Sequence, residues 1–131
     1  MDCSSQYEIM DSEKCDKGRV MQNWMDEFGA AITVVDNNFV VLYMNSKAIS
    51  AFEKYGGREL LGKGLKDCHN ERSMAIMCNI LETGEPHTYT IEKGGIKKLV
   101  HQAPWKKDGA IAGLVELSIE IPWELEHFVR D

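Results

Sequence analysis

Four cysteines, Cys3, Cys15, Cys68 and Cys78, could supply thiol chemistry. None falls in the two-residue spacing of a redox or zinc motif, and a chain of this size needs no disulfide staples. They read as reduced thiols, with Cys68 a buried, unreactive one. Gly57 to Gly64 carries the glycines and lysine of G-x-x-x-x-G-K, a loop that wraps phosphates. The hydroxyl that would take Mg²⁺ is replaced by Gly64 and no strand precedes the segment, so a phosphate loop is excluded. Glu116, Glu120, Glu124 and Glu126 would do metal or acid–base work only beside a histidine cluster, and none accompanies them. They read as a solvated acidic surface. No nucleophile motif marks a Ser–His–Asp or Cys–His set. No catalytic residue and no metal site are expected, and a small enzyme using His101 or Cys68 is the rival from another class.

The elements that would position any site must come from 131 residues, enough for one domain. With 44% hydrophobic and 27% charged residues the composition is that of a soluble globular chain. A net charge of -6 gives no general attraction for phosphate backbones or anionic lipid, so neither nucleic acid nor membrane is an expected partner. No apolar run approaches the ~20 residues that span a bilayer, and the N-terminus lacks a signal-peptide pattern. A cytoplasmic location is expected.

Residues 1–17 are polar and aperiodic and read as a flexible leader. Val20, Met21, Trp24, Met25 and Phe28 recur at helical spacing, which predicts an amphipathic cap helix over 18–29. It would cover one face of a sheet, form a dimer contact, or both. Ala31–Val35 and Phe39–Tyr43 flank Asp36, Asn37 and Asn38 as a hairpin. Ser46 is the expected cap of a short helix that ends at Gly56-Gly57. Asn70 precedes a longer helix, Glu71 to Glu82, with Met74, Met77, Cys78 and Leu81 on one face and Gly84 after it. Strand-like runs follow at His87–Glu92, Ile96–Trp105 and Ala110–Ile121, joined by Gly94-Gly95 and Asp108-Gly109. In the last, Gly113, Val115, Leu117 and Ile119 share one face. Glu116, Ser118 and Glu120 share the other, which is expected to meet water or charged neighbours. Residues 122–131 form a tail with Trp123, Phe128 and Val129 among acids, expected to lie on the domain or on a partner.

Hairpin, short helices, longer helix and meander resemble, in that order, the PAS domain, a sensor and interaction module, from about Val20 to Ile121. Val34 to Asn45 looks like that family's first hairpin with its following asparagine, and Leu60-Leu61-Gly62-Lys63 is similar to its L-[LI]-G-[KR] turn. Leu65 to Arg72 resembles the segment L-x-D-x-x-H-P-E-D before the long helix, with the family's proline absent. The resemblance implies an α+β domain over 30–121: a five-stranded antiparallel sheet with helices packed on one face.

It also implies a cavity between sheet and long helix. Its expected walls are Leu42, Met44, Phe52, Leu61, Met74, Met77, Cys78, Leu81, Tyr89, Ile91, Leu99, His101, Val115 and Leu117, all of which could equally be a filled core. A haem there would need an axial His or Cys. His101, in phase with Leu99 and Ala103, and His69 are the metal-ligand candidates only if haem is bound, with Cys78 a further one. A core His101 bonded to a neighbour such as Tyr89 and a capping or surface His69 are the plainer roles. Asp67 to Glu71 does not match the N-C-R-F-L-Q-like segment of flavin-adduct relatives, so that chemistry is not expected. The cofactor stays unassigned: none, haem or a small metabolite. The expected function is a non-enzymatic sensory and signalling module. It would bind a small ligand or cofactor in its core and relay the change through homodimer and partner-protein contacts. The alternative is a ligand-free protein–protein adaptor with a filled core.

Overall fold

The computed structural model describes residues 23–65 and 69–131. The leader, Val20, Met21 and Cys68 lie outside them. Two strands open the fold, β1 (Ala31–Asp36) and β2 (Val41–Met44), followed by helix α1 (Ser46–Ala51) and two 3-10 turns, Glu53–Tyr55 and Gly57–Leu60. Helix α2 (Glu71–Thr83) leads into β3 (His87–Lys93), β4 (Ile96–Lys107) and β5 (Ala110–Ile121). The five strands form one antiparallel sheet in the order β2-β1-β5-β4-β3. This is the α+β architecture expected from the sequence.

Local chemistry explains the elements. Asp36 Oδ1 accepts from the backbone N–H groups of Asn38 (2.8 Å) and Val40 (3.0 Å), which closes the β1–β2 turn. Asn45, not Ser46, caps α1 by accepting from the Ala48 N–H at 3.0 Å. The expected cap was one residue late because Asn45 also belongs to the strand end that precedes it. Asn70 caps α2 by accepting from the Ser73 N–H at 2.8 Å, and Gly84, at φ +77°, ends it. Gly113 is obligatory for another reason. A Cβ there would overlap the Val35 carbonyl oxygen and come within 2.6 Å of Trp105 Nε1, which donates to that same oxygen at 2.9 Å.

The core lies between α2, α1 and one face of the sheet, built from Val35, Phe39, Val41, Met44, Ala48, Leu60, Leu65, Met77, Ile80 and Leu114. Ile80 joins Met77 as a buried residue of α2, with Met74 and Leu81 half-buried beside them, while Cys78 is exposed. Of the expected cap helix, the described part, residues 23–28, forms turns closed by Asp26 N–H to Asn23 O (3.1 Å) and Phe28 N–H to Met25 O (3.2 Å). Trp24 and Phe28 are exposed and meet edge to face at 5.5 Å. The tail 122–131 has no regular secondary structure, and Lys97 Nζ donates to the Trp123 carbonyl at 3.4 Å. Among the described residues no helix is long and apolar enough to cross a membrane.

Candidate ligand cleft

Strand alternation decides which side chains face the helices, and the register aligns them in rows. One row is apolar: Pro104, Leu114 and Val35 on β4, β5 and β1, continued by Val41 on β2, with Val35, Val41 and Leu114 in the core with Met77 and Ile80. Two residues along, the next row on the same face runs His87, Gln102, Glu116 and Thr33 across β3, β4, β5 and β1. It is polar throughout. Gln102 and Thr33 are each only 5% exposed. Tyr89 stands beside this row on β3, its ring 4.9 Å from that of His87 and tilted by 33°.

Above the polar row sits the first turn of α2, and between them lies a cleft of about 400 Å³. His69, Asn70, Arg72, Ser73 and Ile76 form the helix side, and His87, Tyr89, Gln102 and Glu116 the sheet side. Gln102 Nε2 donates to Glu116 Oε1 at 2.8 Å. His87 Nδ1 is buried with no hydrogen-bond partner among the described residues. Burial first, and then the nearby Glu116 carboxylate, push the Tyr89 phenol above its ordinary pKa, so it stays protonated at neutral pH. These groups can accept, donate and carry one negative charge towards a molecule in the cleft.

This arrangement corrects the expected lining. Alternation placed Val115 and Leu117 together, but on the sheet face turned away from α2, and Leu99 and His101 share that outer face. Glu116 and Ser118, expected to meet water, face the helix side instead. A two-residue period shows which side chains share a face but not which face a helix covers, and here the covered face is the more polar one. His101 Nδ1 lies 2.7 Å from Thr88 Oγ1 rather than near Tyr89, so it does not fit an axial ligand for a haem in this cleft. His69 lines the helix side of the cleft, with its ring 6.3 Å from that of Phe52.

Leu42 and Leu61 are exposed along a separate groove of about 360 Å³ with Asp26, Tyr43 and Arg58. Cys78 is exposed in an open groove of about 740 Å³ with Asn37, Phe39 and Met74. Ile91 is exposed on β3. Met44 and Met77 are core residues, and Phe52, Met74 and Leu81 pack against that core. Of the expected lining, Tyr89 alone lines the cleft, whereas Gln102, His87, Arg72 and Ser73 went unrecognised. Their signal was register, which the sequence does not print. Among the described residues no group of three or more His, Cys, Asp and Glu could hold a metal ion.

No model of a protein family and no curated protein sequence matches this chain. Solved structures do. The PAS domain of histidine kinase ThkA superposes with a TM-score of 0.58 at 18% identity, over 70% of this chain and 99% of that one. The Vibrio cholerae Aer2 receptor, described as a dual PAS–haem oxygen sensor, matches with a TM-score of 0.54 at 17% identity, over 71% of this chain and 95% of that one. VqmA bound to DPO matches with a TM-score of 0.61 at 13% identity, over 79% of this chain and 57% of that one. Together with the strand order and the placement of the helices, these likenesses establish that the chain has the PAS fold.

Proposed function

We propose that this chain is a PAS sensory module that takes a small polar molecule between α2 and the inner sheet face and relays its presence through protein–protein contacts. The polar row His87–Gln102–Glu116–Thr33 carries the reading. A sheet face under a helix ordinarily carries apolar residues, and a buried polar group without a partner costs about 1–3 kcal/mol. A ligand that bonds to the row offsets that cost. A cleft of about 400 Å³ is within the range that holds small metabolites. Two of the structural neighbours support the reading by their own descriptions, one as a haem oxygen sensor and one bound to DPO.

In this reading the chain is a cytoplasmic, non-enzymatic homodimer. The described candidates for the dimer contact are Trp24, Met25 and Phe28, together with the branched side chains of the outer sheet face as a second surface. The test is mass spectrometry of small molecules released by denaturing the purified full chain, with an absorption spectrum taken first. A stoichiometric released molecule supports the sensor. A colourless chain that releases nothing favours the ligand-free adaptor, whose contacts would include the exposed Trp123, Leu125, Phe128 and Val129 of the tail.

A further inference from the structure

The cleft's chemistry narrows its occupant, given that it binds a small molecule at all. Glu116 sits mid-row on β5 with a neutral neighbour on each side, Gln102 and Thr33. Gln102 spends an N–H on Glu116 Oε1, which leaves its own carbonyl oxygen as its acceptor end. Among the described residues no Lys, Arg or His pairs with the Glu116 carboxylate. Tyr89 stays a neutral phenol, which both donates and accepts, and His87 Nδ1 has no partner, so the sheet wall offers one full negative charge beside neutral polar groups. An anion placed against it meets like charge, and a cation with N–H donors meets complementary charge.

We infer that the cleft selects a small organic cation, an amine or amidine, whose N–H groups bond to Glu116 and Gln102. On the helix wall Arg72, a permanent cation, is exposed, and His69 lines the same wall. Solvent screens an exposed guanidinium, which reduces its repulsion of such a ligand.

The probes are agmatine and putrescine, with succinate as an anionic control, titrated into the full chain while backbone amide shifts of Tyr89, Gln102 and Glu116 are followed. The diamines are expected to move these amides and succinate is not. Glu116→Gln, close in shape, should weaken diamine binding at least tenfold. Should that variant misfold, Arg72→Gln on the exposed surface provides the second arm and should tighten diamine binding a few-fold. Succinate binding at these amides, or diamine binding unchanged in Glu116→Gln or weakened in Arg72→Gln, overturns the cation assignment and leaves the sensor reading standing. Silence with every probe also overturns it. Small molecules released on denaturation then separate the two ideas: an anionic or neutral one keeps the sensor reading, and none removes both.

Discussion

Asn45 is 1% exposed and satisfies both ends of its amide. Its Oδ1 accepts from the N–H groups of Ile32 and Ala48, each at 3.0 Å. Its Nδ2 donates to the carbonyls of Met25 (2.9 Å) and Ala30 (2.8 Å). One side chain therefore ties the entering segment, β1 and α1 together. Asn45→Ala leaves several buried backbone groups unpaired and is expected to cost about 2–4 kcal/mol, read by urea unfolding. Tyr89 makes a different prediction. Its pKa is raised in the folded chain, so its contribution is intact below the unfolded value near 10 and is lost as pH rises through the folded one. Stability should fall above about pH 10, and Tyr89→Phe should flatten part of that fall in urea titrations from pH 8 to 11. The place of Asn45 was legible in the sequence because it matches a known hairpin end, but its capping role was assigned to Ser46. The role of Glu116 was not legible, because an acid in a strand reads as solvated until the helix above it is placed.

At the scale of elements, α2 and β5 were legible almost to their ends. Caps at Asn70 and Gly84 and a turn at Asp108-Gly109 are local signals that need no tertiary information. Orientation is not local. Cys78 shares a helical stripe with Met74 in the sequence, yet α2 turns Met77 and Ile80 to the sheet and leaves Cys78 on the open side. Met77→Ala should accordingly cost about 2–5 kcal/mol, whereas Cys78→Ser should stay within about 0.5 kcal/mol, both by urea unfolding. Equal costs would mean that the helix faces the other way. β5 carries the same lesson: Val115 and Leu117 look like core, but Leu114 is the residue that packs against Val35. The outer face hides branched side chains too, so hydrophobicity alone could not choose between the faces.

For the whole molecule, the helix layer divides the interior in two. Near α1 and the middle of α2 the sheet is closed by methionine and branched side chains, while under the first turn of α2 it stays polar and open. The closed half stabilises the fold and the open half is available for recognition. A molecule that bridges Ser73 to Gln102 or Glu116 would couple α2 to β4 and β5, two interior strands of the sheet, and β5 runs directly into the tail. The most direct test compares backbone amide spectra of the full chain as purified and after unfolding, dialysis and refolding, which strips any bound molecule. The account predicts shifts concentrated at Arg72, Ser73, His87, Tyr89, Gln102 and Glu116, with the Val35–Leu114–Met77 core unmoved. Identical spectra, with no molecule in the dialysate, would contradict it.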